Sequence, residues 1–252
     1  HLSPPFGVTL AWTDNLDGLW DPHTHTLTPE AGEIFRVLRP RVLRYPGPAH
    51  ANSFHWREAI GSYVQRPSIP HPLRATRQTI DFGLIEFLTL CQEQHATPIL
   101  TLNLYEEDLA TIEKLVQFVH QQSLPQQPYW EIGDDPSRAD PFESVPRLTP
   151  EAYAKRARAI IGTIRRVNPQ ATIGIALEPP LAERYDPATL KRWNWVVLQD
   201  LSSQHDYVFI RHTRLPATIA RATPAQTTPS SIATQYLTGI AAEDWIAQDL
   251  DE

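Results

Sequence analysis

The stretch Pro98-Ile-Leu-Thr-Leu-Asn103, then apolar residues at Leu109, Ile112, Leu115, Val116 and Val119, then Tyr129-Trp-Glu-Ile-Gly133, decides the fold. The first and last runs are short and continuously apolar, as a strand buried on both faces requires. The residues between them repeat at spacings of three and four, which places them on one face of a helix. Strand, helix and strand in that order make a parallel βαβ unit, because parallel neighbours need a long crossover between them.

The same alternation extends outward in both directions. On the N-terminal side, Phe6-Gly-Val-Thr-Leu-Ala-Trp12 and Arg41-Val-Leu-Arg44 read as strands. Helices are predicted over Pro29 to Leu38, entered through Thr28-Pro29-Glu30, and over Asp81 to His95. On the C-terminal side, Thr149-Pro150-Glu151 opens a helix through Tyr153, Ala157, Ile160, Ile161 and Ile164, with a capping residue before proline at the first helical position. Thr172-Ile-Gly-Ile-Ala-Leu177 is a fifth strand, Asp186-Pro187 opens a helix through Trp193 and Val197, and Tyr207-Val-Phe-Ile-Arg211 is a sixth strand. A sixth helix is predicted over Ile232 to Leu250.

Six such units predict an α/β fold with a parallel sheet. Strand one is not followed by G-x-G-x-x-G; Thr13, Asp14 and Asn15 stand there instead. The long loops, Tyr45 to Thr76 and Asp134 to Leu148, follow strand C-termini. Both features favour a TIM-type (β/α) barrel over an open doubly wound sheet, since a barrel builds its site from those loops. A full barrel has eight units, so strands seven and eight are expected to be absent. The single domain over residues 1–252 is then expected to be incomplete at its C-terminus.

Composition narrows the partners. Lys+Arg number 22 and Asp+Glu 29, a net charge of −7 with no basic block, which argues against nucleic acid or an anionic membrane. No apolar run reaches the roughly 20 residues that span a bilayer. Cys91 is the single cysteine, so no internal disulfide and no multi-cysteine metal site can form. Proline is 24, where ordinary usage gives roughly 13, and glycine is only 10. Stiff loops of this kind suit a stable extracellular or thermophilic protein, and the protein is expected outside the cell or at its surface. The chain has no Met and begins at His1, so an N-terminal segment is expected to have been removed.

Candidate functional residues cluster after the predicted strands. Asp134 and Asp135 follow strand four and form a potential acid pair, the alternative being a polar loop start. Glu178, before Pro179-Pro180, projects from the same end of strand five as a second carboxylate. Arg44 ends strand two and either contacts a ligand or pairs internally with Glu131. His212 ends strand six and either contacts a ligand or is a satisfied structural residue. Trp56 and Phe54, in the long second loop, either stack on a ligand ring or pack the loop down. Trp193, Trp195 and Trp245 lie at helical spacing and are expected in the core, and Glu106-Glu107-Asp108 reads as an acidic helix start. His23 and His25 lack a matching carboxylate, so no metal site and no cofactor is predicted.

Several pieces in order carry a resemblance. Val42-Leu-Arg-Tyr-Pro-Gly-Pro48 leads to Phe54-His-Trp-Arg-Glu-Ala-Ile-Gly61 and Arg66-Pro67. Phe82-Gly-Leu-Ile-Glu86-Phe87 follows, and then Tyr129-Trp-Glu-Ile-Gly-Asp-Asp135. Together they resemble the α-L-arabinofuranosidases among the retaining glycoside hydrolases. The resemblance implies a TIM barrel with its acid/base at Asp135 and a sugar contact at Asp134, where that family carries Glu and Asn. It also puts Ala49 where the family has Asn, Ala11 where it has Glu, and His212-Thr213-Arg214 where it has His-Tyr-Tyr. The nucleophile belongs on strand seven, and the nearest similar letters, Glu243-Asp244-Trp245, fall within the predicted sixth helix.

Two functions fit these residues. In the first, a hydrolase-like barrel with altered catalytic positions binds carbohydrate, or joins an assembly in which another protein chain covers the open barrel edge. In the second, the chain is a retaining hydrolase of arabinofuranoside-like bonds with Asp135 as acid/base. The altered positions and missing nucleophile favour the first.

Overall fold

The computed structural model describes residues 7–47, 51–72, 74–106, 108–122, 124–137, 147–178 and 187–210. All of them belong to one compact unit that ends at Arg211. The predicted sixth helix, Trp245, His212 and Glu243-Asp244 lie outside the described residues, as do Ala49 and the last part of the predicted single domain.

Six strands form one sheet: β1 (Gly7–Thr9), β2 (Val42–Tyr45), β3 (Thr97–Leu102), β4 (Tyr129–Ile132), β5 (Thr172–Leu177) and β6 (Tyr207–Ile210). Every pairing is parallel, and spatial order equals chain order. A doubly wound sheet reverses its order at a switch point. Unbroken sequential order excludes it and gives instead the arrangement of a partial (β/α) barrel. Five helices make the crossovers: α1 (Pro29–Leu38), α2 (Leu84–Gln94), α3 (Leu109–His120), α4 (Pro150–Val167) and α5 (Pro187–Leu201).

Strand alternation sorts the side chains. Leu43, Tyr45, Leu100, Leu102, Trp130, Ile132, Ile173 and Ile175 are all buried and form the layer shared with the helices. Residues one step along face the opposite side: Thr9 pairs with Arg44, and Glu131 lies in register with Thr101 and Gly174. Polar groups thus gather on the inner face. Gly174 is small for a reason: a Cβ there would stand 2.4 Å from the Tyr207 ring, which lies across β5.

The helix entries follow local chemistry. Thr28 and Thr149 accept from the amides of Ala31 and Ala152, each with proline at the first helical position. Asp108 caps α3 by accepting from Ala110 N, so the acidic run before it does begin a helix. α2 starts at Leu84, three residues later than the periodicity suggests, because the Gly83 amide donates to Glu86 Oε2 and fixes the entry.

Three features escape the sequence pattern. Residues Asp14 to Asp17 form a single turn with φ between +50° and +59°, a left-handed conformation that Gly18 closes at φ +82°. Two small antiparallel hairpins, Trp20–Asp21 with Thr26–Leu27 and Ile69–Pro70 with Arg77–Gln78, decorate the first two loops. The expectation of a core Trp195 is corrected: it is 64 % exposed, while Trp193 is 4 % exposed. α5 buries Trp193, Val197 and Leu201, and two residues on from Trp193 the helix has turned about 200°, so Trp195 faces away.

Candidate functional site

The site is assembled at the C-terminal ends of β2 to β5. Arg44, on β2, spans toward β4: its Nε donates to Glu131 Oε2 at 2.5 Å and its Nη2 to Asp134 Oδ1 at 3.3 Å. Thr101 Oγ1 on β3 donates to the same Glu131 oxygen at 3.3 Å, and the Phe209 ring on β6 lies 5.8 Å from the guanidinium carbon. Burial disfavours the Arg44 charge, but Glu131 and Asp134 outweigh it and raise the guanidinium pKa. The internal Arg44–Glu131 pair expected from sequence is therefore present, and Asp134 joins it.

The turn after β4 presents the aspartates. Gly133 sits at φ +77°, where a Cβ would come within 3.0 Å of the Leu104 side chain, so only glycine passes there without strain. Asp134 is buried and Asp135 half-buried, the latter also left-handed at φ +42°. Asn52, in the 3-10 turn Ala51–Ser53 after β2, donates from Nδ2 to the Asp134 carbonyl at 2.7 Å. Asn103, ending β3, accepts from Tyr105 N and donates to the Phe54 carbonyl, tying the long second loop to the strand ends.

Glu178 is 3 % exposed at the end of β5. Its backbone is clasped by the Asn194 side chain, whose Oδ1 accepts from Glu178 N at 2.8 Å and whose Nδ2 donates to Glu178 O at 2.9 Å. Asp134, Asp135 and Glu178 therefore stand at neighbouring strand ends, as expected. Trp56 goes elsewhere. Its ring is buried, 5.6 Å from Phe118 of α3, and Phe54 packs against Trp12 and Tyr45. Both aromatics pack the loop down, so Trp56 is corrected from sugar contact to core. His23 and His25 lie in the first loop, with His25 stacked on Tyr63 at 3.6 Å. Among the described residues, no cluster of three metal-ligating side chains occurs.

The sequence assigned no role at the site to Tyr153, Arg66 or Asn52. Tyr153 Oη donates to Ile132 O at 3.0 Å and accepts from Ala176 N at 2.8 Å, pinning β4 and β5 together just before their functional ends. Burial keeps this phenol protonated by raising its pKa, the Ala176 amide opposing and Glu131 adding to the rise. Tyr153→Phe leaves both backbone groups unpaired and is expected to cost about 1–3 kcal/mol of unfolding free energy. Thermal and urea denaturation measure it. The deficit is the same at pH 6 and pH 8, because the phenol does not titrate in that interval. The helical spacing of Tyr153 marks it as core, but its hydroxyl partners belong to strands far along the chain.

Comparison with known proteins agrees with this architecture. Residues 34–134 match the family described as "Alpha-L-arabinofuranosidase 1 domain". A probable α-L-arabinofuranosidase C from Aspergillus terreus is 26 % identical over 196 residues, covering 69 % of this chain and 38 % of that protein. An intracellular exo-α-L-arabinofuranosidase from Bacteroides ovatus is 29 % identical over 109 residues, covering 40 % of this chain and 21 % of the relative. Among solved structures, a family 51 α-L-arabinofuranosidase from Bifidobacterium longum superimposes with a TM-score of 0.72 at 18 % identity, covering 87 % of this chain and 46 % of that one. The family 51 arabinofuranosidase from Xanthomonas axonopodis pv. citri gives 0.71 at 15 % identity, covering 97 % and 52 %. The chain spans less than half the length of the curated relatives it matches. In sequence over residues 34–134, and in fold across the parallel sheet, it resembles the α-L-arabinofuranosidases of the glycoside hydrolases.

Proposed function

We propose that this chain binds a pentofuranosyl carbohydrate at the C-terminal ends of its strands without hydrolysing it. One observation carries the reading: the carboxylate of Asp134 is held by Arg44, and the residue after it is an aspartate. Aspartate is about 1.5 Å shorter than glutamate, while retaining hydrolysis requires two carboxyl groups about 5–5.5 Å apart. A shortened acid at the end of β4 retracts from the glycosidic oxygen it must protonate. The surrounding polar groups, Asn52, Asn103 and Glu178, still suit hydroxyl recognition. We further infer that strands from elsewhere, in this chain or a partner chain, close the barrel at the β1 and β6 edges, and that the protein works outside the cell or at its surface.

The test is a pair of assays on the same preparation. Calorimetric titration with methyl α-L-arabinofuranoside is expected to show saturable binding. Incubation with 4-nitrophenyl α-L-arabinofuranoside is expected to release nitrophenol no faster than buffer. Turnover that disappears in Asp135→Asn would instead establish the hydrolase reading, with Asp135 as acid/base.

A further inference from the structure

Asn52 is half satisfied. Its Nδ2 is committed to the Asp134 carbonyl at 2.7 Å, which fixes the orientation of the amide, and its Oδ1 is buried with no hydrogen-bond partner among the described residues. The residue is 9 % exposed. Two residues past Asp135, the hydroxyl of Ser137 is likewise buried and unpartnered, in a residue 8 % exposed. A buried acceptor without a donor costs about 1–3 kcal/mol, and such atoms are few in folded proteins. These two flank the turn that carries Asp134 and Asp135.

The chemistry of these two groups defines their ligand. Asn52 Oδ1 only accepts, so its partner must donate, and Ser137 Oγ can do either. Asp134 and Asp135 lie on the turn between these two groups, Glu178 ends the neighbouring strand β5, and Arg44 is already engaged by two carboxylates. An anionic ligand is disfavoured there. We propose that Asn52 Oδ1 accepts a hydrogen bond from a ring hydroxyl of a neutral sugar, with Ser137 Oγ contacting the same ligand. This inference rests on the carbohydrate-binding reading above and assigns the hydroxyl contact to Asn52. Coupling through the Asp134 carbonyl then makes Asn52 sensitive to the conformation of the β4 turn, so ligand contact and the placement of both aspartates are set together.

The experiment titrates methyl α-L-arabinofuranoside into wild type, Asn52→Ala, Asn52→Ser and Ser137→Ala, with thermal midpoints recorded for each. Asn52→Ala is expected to raise Kd about tenfold, or about 1.4 kcal/mol. Ser137→Ala is expected to raise it about threefold, and ligand is expected to lift the midpoint of wild type more than that of either variant. Asn52→Ser removes the same acceptor with a smaller change in packing and decides the matter if Asn52→Ala does not fold. Wild-type binding with unchanged Kd in the Asn52 variants overturns this inference and leaves the carbohydrate reading standing. Absence of binding to wild type overturns both.

Discussion

Arg44→Met is expected to remove about 3–5 kcal/mol of unfolding free energy at pH 7, because it strips the cationic partner from two buried carboxylates. The Glu131 and Asp134 side chains are 5 % and 1 % exposed, and the Arg44 side chain is 15 % exposed. None has water enough to replace the lost pair. Urea unfolding at pH 7 is the measurement. A loss below about 1 kcal/mol contradicts an ion-paired strand-end network.

The second large effect lies in the long loop after β2. Arg66 donates to Gly61 O from Nε and Nη2, to Ile80 O and Asp81 O from Nη1, and to Glu86 Oε1 from Nη2 at 2.7 Å. Its guanidinium also lies 4.5 Å from the Tyr63 ring centre, whose opposite neighbour is the stacked His25. Five bonds from one planar group close the loop onto the start of α2. Burial, then the nearby Glu86, raises the Tyr63 phenol to about 12, so it stays a neutral donor throughout the usable pH range. Burial likewise raises the Asp81 carboxyl, partly offset by His25 and Arg66.

Arg66→Ala leaves Glu86, a side chain only 9 % exposed, without its charge partner. Three carbonyl groups lose their donor as well. The expected cost is about 3–5 kcal/mol, with amide exchange accelerated across residues 61–82 before the strands open. Arg66→Lys restores the charge but not the fork, so it recovers the Glu86 pair and leaves the loop protection low. Hydrogen exchange of both variants separates these effects. Unchanged protection over the loop in Arg66→Ala contradicts the anchoring role.

Much of the scaffold was legible because it obeys local rules. Thr172–Leu177 and Pro29–Leu38 have the predicted boundaries, since an apolar run and a Thr-Pro-Glu entry each carry their own signal. Arg44 and Glu131 were legible as partners because a buried cation needs an anion and both fall on inner-facing strand positions. The left-handed turn at Asp14–Asp17 was not, because four non-glycine residues there defy the usual cost of that conformation and nothing local announces it.

The site divides the same way. Its strand-end carboxylates could be placed by counting strands. Asn52, Tyr153 and Asn194 act through backbone groups of distant residues, at separations of 82, 23 and 16 positions. Residue type carries no trace of such a partner. Trp56 illustrates the reverse: its ring chemistry suits a sugar, yet the nearby Phe118 face of α3 offers it a dry surface, and burial decides.

The most direct measurement is residue-resolved: amide chemical shifts of the isotope-labelled chain during titration with methyl α-L-arabinofuranoside. The account predicts saturable shifts concentrated at Asn52, Asn103, Gly133 to Asp135 and Glu178, with a single Kd and an unaltered ligand at the end of the titration. Shifts confined to the outer faces of α1 or α5, or no saturable shift at all, would contradict a sugar site at the strand ends.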